Sequence, residues 1–282
     1  MIVDVHSHFW EYSRDFTADF RAQAKRARAG MEVDLTVRYE DYRATCPPDT
    51  RTIVFGGKAK GSGQWVDDRY VADYVAAHPD ALVGFLSVDP TQPGWEREMR
   101  VGREDLGLRG IKLLSMYAGF RPDDARLEPL WEYAATHRLP VLLHTGTTFV
   151  SQAPLECTLP RHLDAVAIRH PEVKLILAHL GHPYEGECVA VIRKHPNVYA
   201  DISALHYRPF QFYHSLMLVQ EYGVWDKVLF ATDYPFTTVN ATLAGLRSMN
   251  RVLDGTALPR LDEAKIEAMI ARDALSLLGL NG

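Results

Sequence analysis

The stretch Lys174-Leu175-Ile176-Leu177-Ala178-His179-Leu180-Gly181 decides the fold. Four apolar side chains in succession, without alternation, mark a strand covered on both faces, as in a parallel sheet flanked by helices. The run stops on a histidine and a glycine. The same grammar recurs in both directions: eight apolar runs, at 2–8, 52–56, 82–89, 110–115, 141–145, 174–180, 198–203 and 228–233, are each bounded by turn residues. Helical patterns lie between them, at 66–77, 127–137, 210–222, 239–253 and 262–278, with a further helix near 37–44. Three helices are expected to stop at His78-Pro79, His170-Pro171 and His195-Pro196, because proline disfavours helix in the residue before it and histidine suits the negative end of the dipole.

Eight strands alternating with helices over 282 residues predict an α/β fold, a (β/α)8 TIM barrel, in one domain spanning 1–282. The open doubly wound sheet is the alternative, but no GxGxxG follows a strand. Residues 10–35 follow the first strand as an insertion with helical content of its own. Insertions there sit on the catalytic face, so this one reads as a lid or pocket wall. The glycine-rich loop 56–63 lacks the GK[ST] of a phosphate-binding loop.

The polar residues that end the apolar runs carry the chemistry. His6 and His8 stand two apart on one strand, so both rings share a face and form a metal clamp. His144 ends Val141-Leu142-Leu143 and reads as another ligand. Asp233 ends Leu229-Phe230-Ala231-Thr232, and a carboxylate there must be paired or metal-bound, since burying it alone is costly. It can also take a proton from metal-bound water. His179 is either a fourth imidazole ligand or a base beside the metal. Imidazoles with a carboxylate suit one divalent ion, zinc foremost, with manganese and iron as alternatives. Lys112 in Gly110-Ile111-Lys112-Leu113 has three readings: a carbamate bridging two metals, an ammonium holding a substrate carboxylate, or a structural ion-pair partner of Asp4 or Asp201. Arg208 is a second candidate for substrate binding. His182 reads as structural or pocket-lining, and His78, His137, His162, His170, His195 and His214 as helix or helix-end residues.

Composition excludes other classes. With 31 basic against 36 acidic residues the net charge is −5, which gives no pull toward nucleic acid or anionic membrane. The basic run 21–28 reads as the wet face of a helix. No apolar run is long enough for a membrane span, and no basic leader precedes the first strand. Three widely spaced cysteines make no disulfide framework and point to a reducing cytoplasm. None ends a strand and there is no GxSxG, so nucleophilic cysteine or serine chemistry is set aside. The expected partner is a small-molecule substrate; homo-oligomerisation is left open.

In this order along the chain, the motifs resemble the amidohydrolase superfamily, in the amidohydrolase-related branch that includes aminocarboxymuconate-semialdehyde decarboxylase. The phrases that carry the likeness are Val3-Asp4-Val5-His6-Ser7-His8, Arg109-Gly110-Ile111-Lys112-Leu113, Pro122-Asp123-Asp124-Ala125-Arg126-Leu127, Pro140 to Gly146, Ala178-His179-Leu180-Gly181, Asn197-Val198-Tyr199-Ala200-Asp201 and Ala231-Thr232-Asp233-Tyr234-Pro235. The resemblance implies that His6, His8, His144 and Asp233 bind one metal, commonly zinc, and that His179 is a catalytic acid/base or activates the metal-bound water. It also implies that Lys112 need not be carbamylated. Leu114 stands where the family often has histidine. Deaminases of the superfamily carry a glutamate after the strand-5 histidine; here His144-Thr145-Gly146-Thr147 has none. The leading expectation is a metal-dependent hydrolase of a small amide, ester or lactone, using a metal-activated water. The alternative is a non-oxidative decarboxylase of a small unsaturated or aromatic acid. An inactive barrel that serves as a binding protein comes last.

Overall fold

The eight apolar runs become eight strands in a computed structural model that describes residues 1–281. They are β1 Ile2–His8, β2 Thr50–Phe55, β3 Leu82–Gly84 with its continuation Leu86–Ser87, β4 Ile111–Leu113, β5 Val141–Leu143, β6 Leu175–Leu177, β7 Val198–Asp201 and β8 Val228–Leu229. Each pairs in parallel with the next. β3 changes partner midway: Phe85 N–H donates to Val54 O at 2.9 Å, and Leu86 N–H to Gly110 O at 2.9 Å. The ring closes through Val5 N–H to Phe230 O at 3.1 Å and His8 N–H to Tyr234 O at 2.9 Å. The result is the TIM barrel expected from the sequence.

Apolar side chains divide into two populations. One faces inward and fills the barrel: Val3, Val5, Ile53, Phe55, Val83, Phe85, Leu142, Ile176 and Leu229. The other packs the outer strand faces against helices, as with Leu113, Leu143 and Leu177 against Leu130, Trp131 and Leu163. Burial of these groups on both faces is the main stabilising term, at roughly 25 cal/mol per Å².

The helices that bear on the site are α1 Ala18–Ala27, α2 Tyr39–Arg43, α3 Asp68–Ala77, α4 Trp95–Arg100, α5 Glu128–His137, α6 His162–Arg169, α7 Glu185–Lys194, α8 Pro209–Glu221, α9 Val239–Ser248, α10 Glu263–Ile270 and α11 Ala274–Leu278. α3, α6 and α7 end at His78, His170 and His195, as the His-Pro pairs predicted. The stretch 262–278, expected as one helix, is two. Asp273 caps α11 by accepting from Ser276 N–H, and α11 then turns its apolar face into the barrel interior. Beyond α9 the expected helix 239–253 tightens into a 3-10 turn at Met249–Leu253. No helix among the described residues is long and apolar enough to cross a membrane.

Strands are also shorter at their C-terminal ends than the apolar runs suggested. His144 follows β5, His179 follows β6 in a 3-10 turn, and Asp233 lies beyond β8. The ladder stops because these residues turn out of register toward the barrel mouth. Residues 10–35 hold a single turn, Tyr12–Asp15, and α1. The insertion docks on the loop after β5: Gln23 Oε1 accepts from Ser151 N–H at 2.8 Å, and Phe20 packs edge-on to Phe149 at 5.4 Å between rings.

Candidate metal centre and active site

β1 delivers two imidazoles through a change of parity. Its register with β2 shifts between Asp4 and Ser7. Val3 and Val5 therefore face the interior, and so do His6 and His8, whose rings lie 5.1 Å and 4.9 Å from that of Phe55. Asp4 points the other way and accepts from Thr232 N–H at 3.0 Å and Thr232 Oγ1 at 2.7 Å, which ties β1 to the end of β8. Trp10 stacks on His8 at 4.0 Å between rings and donates to Gly56 O at 3.1 Å.

His179 and Asp233 share an uncommon backbone. Both are left-handed, with φ of 59° and 70°. Such residues are held there only when surroundings insist, and they cluster at functional sites. Here the surroundings are specific: Asp233 N–H donates to His6 O at 2.8 Å, and His179 N–H donates to Asp201 Oδ1 at 2.9 Å.

Asp201 and Ser203, at the end of β7, bind two functional rings at once. His6 Nδ1 donates to Asp201 Oδ2 at 2.9 Å. Ser203 Oγ donates to Asp201 Oδ1 and lies 2.8 Å from His179 Nδ1, which also faces Ser203 O at 3.1 Å. A carbonyl only accepts, so the His179 proton sits on Nδ1 and Nε2 is bare. The same logic places the His8 proton on Nδ1, 3.3 Å from Gly56 O, and the His6 proton on Nδ1 toward Asp201. Their Nε2 atoms then face Asp233 Oδ1 at 3.0 Å and 3.2 Å with no proton between.

That convergence of lone pairs is what a cation resolves. One ligand atom each from His6, His179 and Asp233 lie within 4.8 Å of one another. His144 adds a buried Nε2 with no hydrogen-bond partner, on a ring 5.2 Å from that of His179. Nitrogen and carboxylate oxygen are the donors of zinc, manganese and iron sites, so the residues fit a divalent ion. This three-residue cluster includes His179, whereas the resemblance implied His6, His8, His144 and Asp233 as the ligands. His179 is thus placed as close to the candidate centre as the expected ligands.

Burial pushes the Asp233 carboxyl up, but the imidazoles of His6, His8 and His179 outweigh it and hold it well below the carboxylate range. Burial lowers His8 and His179 to about 4 and His144 further, so these rings are neutral near pH 7. His6 differs from the other rings: burial and Lys112 press it down, but Asp201 and Asp233 outweigh them and raise it. Lys112 is fully buried, lowered to about 7 by desolvation. Its Nζ lies 3.3 Å from His6 Nε2 and 4.4 Å above the Phe55 ring. The ion pair considered with Asp4 or Asp201 does not form: Asp4 is taken by Thr232 and Asp201 by His6, His179 and Ser203.

A cavity of about 350 Å³ opens above this group, lined by His144, His179 and Asp233 with Tyr117, Phe149 and Phe236. Arg208 lines it too, its guanidinium bonded to Ala204 O at 2.8 Å and stacked over Tyr207 at 4.6 Å. Arg28, read from sequence as part of a wet helix face, is exposed and also borders the cavity, because the end of α1 packs against the barrel mouth. A larger cavity of about 430 Å³ opens elsewhere, but its lysine, Lys58, is already held by Asp68 at 2.8 Å and Glu98 at 2.9 Å.

Sequence reasoning missed the joint role of Asp201 and Ser203. The signal was available, since they too are polar residues ending an apolar run. Two of the helix-end histidines are as expected: His170 and His195 pair with Glu128 and Asp164 at 2.7 Å each.

The profile of the family described as Amidohydrolase matches residues 3–280. None of the curated proteins matches the chain closely enough to count as a relative. Solved structures share its fold. An uncharacterized TIM-barrel protein from Bordetella bronchiseptica is 20% identical with a TM-score of 0.75, covering 99% of this chain and 98% of that one. A 5-carboxyvanillate decarboxylase from Novosphingobium aromaticivorans, complexed with manganese and 4-hydroxy-3-methoxy-5-nitrobenzoic acid, is 15% identical with a TM-score of 0.65, covering 99% and 96%. A probable 2-pyrone-4,6-dicarboxylic acid hydrolase from Acinetobacter baumannii, with citric acid bound, is 14% identical with a TM-score of 0.63, covering 99% of each chain.

Proposed function

This chain belongs to the amidohydrolase family, and on that premise we propose that it is a metal-dependent hydrolase of a small, flat ester, lactone or amide that also carries a carboxylate. The observation that carries the reading is the set of unprotonated acceptors, Nε2 of His6, His8 and His179 with Asp233 Oδ1, turned toward one another around a buried lysine. His6, His8, His144 and Asp233 would hold the ion, zinc or manganese, the latter supported by the manganese in the decarboxylase of the same fold. A divalent ion there acts as a Lewis acid toward a carbonyl oxygen and makes water more acidic.

The protein's own groups do the rest. His179 Nε2, kept free of a proton by Ser203 and by burial, takes the proton from the attacking water, and Asp233 is the second acceptor. Arg208 holds the substrate carboxylate from the cavity wall, and Lys112, buried against His6 outside the lining, adds positive charge from below. Tyr117, Phe149 and Phe236 sandwich a flat molecule. From the insertion 10–35, Ala27 and Arg28 border the cavity and would serve as part of its wall.

A specific observation favours non-oxidative decarboxylation as the second reading. Lys112 is a buried cation without a carboxylate partner, lowered to about 7, and so able both to bind a substrate carboxylate and to give up a proton. The decarboxylase of the same fold supports it. Turnover of the manganese- or zinc-loaded protein on paired panels decides: carboxylated lactones and esters on one side, hydroxybenzoates and their open-chain counterparts on the other. Release of CO2 without ring or ester opening overturns the hydrolase reading.

A further inference from the structure

His182 lines the same cavity as His179 and Asp233 but forms no ring contact or hydrogen bond with His6, His8, His144 or Asp233 among the described residues. Only 8% of it is exposed. Its Nδ1 lies 2.6 Å from Glu185 Oε1, and that oxygen also accepts from Ser215 Oγ at 3.1 Å on α8. Glu185 is itself buried at the start of α7. An ionised carboxylate only accepts, so the His182 proton sits on Nδ1 and its other nitrogen, Nε2, offers a lone pair. The peptide of His182 is also fixed, because its carbonyl packs where a side chain at Gly146 would be, 2.7 Å from a Cβ built there. Gly146 has φ of 140°, which allows that approach.

Apart from His144, His179 and Asp233 at the candidate metal centre, the cavity's charged side chains are Arg28 and Arg208, which only donate. Against them His182 Nε2 is a fixed, nearly buried acceptor, and Glu185 and Ser215 hold it so. We infer that His182, locked by Glu185, is a specificity-determining residue that selects substrates carrying a hydroxyl to donate to Nε2. The inference rests on the reading that this cavity holds the substrate. The ligand class is then a hydroxylated small acid: its carboxylate meets the cations, and its hydroxyl meets His182. An analogue whose hydroxyl is methylated leaves the imidazole acceptor buried without a donor, which a binding site penalises more than a lost contact.

The test is calorimetric binding to the metal-loaded protein of the three hydroxybenzoates with their methyl ethers, phenol with anisole, and lactate with 2-methoxypropionate. The wild type is expected to prefer at least one hydroxyl compound over its ether by about tenfold or more. In His182→Phe, which keeps a ring and removes the acceptor, the preference falls to within about twofold. In Glu185→Gln it also shrinks, because a carboxamide can present either a donor or an acceptor to Nδ1 and releases the tautomer. Elemental analysis should find the metal content of both variants unchanged. Absence of any hydroxyl preference in the wild type across the panel overturns the inference, as does a preference that survives His182→Phe. If acids bind without hydroxyl preference, this inference fails and the acid-substrate reading stands. If phenol is preferred over anisole through His182 while no acid binds, the acid-substrate reading fails and this one stands.

Discussion

Lys112 Nζ lies 3.3 Å from His6 Nε2, with no carboxylate of the described residues in ion-pair contact with it. On the proposed function, the partner of this fully buried lysine comes from the substrate. Replacement by methionine keeps the stem and removes the charge. Lys112→Met is expected to raise KM roughly tenfold or more for carboxylate-bearing substrates while neutral esters or lactones change little. Equal losses on both kinds, measured by steady-state kinetics, would show that the lysine supports the barrel.

One divalent ion per chain is expected from elemental analysis of the purified protein. His144→Ala and Asp233→Ala should lower that content well below stoichiometric. His144 is informative because its buried Nε2 has no partner in the protein, so its loss leaves no hydrogen bond unmade. Full activity after exhaustive chelation would count against the metal centre.

His179→Asn is expected to retain most of the metal and lose roughly 10²-fold or more in kcat, as for a proton-transfer group. The close grouping of His179 with His6 and Asp233 makes the alternative concrete. Loss of metal together with activity in this variant identifies His179 as a ligand.

Asp201→Asn should weaken metal binding by roughly 10–100-fold, the usual cost of losing a carboxylate that orients a ligating histidine. Ser203→Ala removes a bond to His179 but leaves the His6–Asp201 bond in place. It should therefore cost kcat more than metal affinity. The pair is read out by competitive metal titration beside single-turnover rates, and an identical pattern for both variants would show that the platform acts as one structural unit.

The pH dependence of stability has a site away from the centre. Burial pushes the Asp68 carboxyl up from 3.8 to about 6, with Lys58 opposing. The folded chain therefore keeps this proton up to about pH 6, whereas the unfolded chain releases it near 4. Between those values folding binds a proton, so this group's contribution to stability is greatest below pH 4 and declines as pH rises to 6. Asp68→Asn removes that slope. The stability gap between wild type and variant, from urea unfolding of the metal-free protein, should narrow from pH 4 to pH 7. A widening gap would show that the ion pair with Lys58 outweighs burial.

Much of this molecule was legible in order along the chain. Near-continuous apolar runs such as 174–178 can satisfy both faces only inside a parallel sheet covered by helices, and eight of them between amphipathic helices leave a barrel as the natural closure. His6, His8, His144, His179 and Asp233 each end or follow such a run, so their place at one end of the barrel was readable from position alone. What only the tertiary structure decided is how these groups face one another. The register shift in β1 turns His6 and His8 inward after Val5. The left-handed backbone at His179 and Asp233 brings both past their strand ends to the same point. Asp201, 195 residues from His6, sets which nitrogen of that ring carries the proton. Lys112 is left without the ion pair that its burial alone suggested. These are through-space relations among residues far apart in the chain, and side-chain period along a strand carries no information about them. Proton placement and charge partnering depend on distances of a few ångströms, which exist only once the barrel has closed.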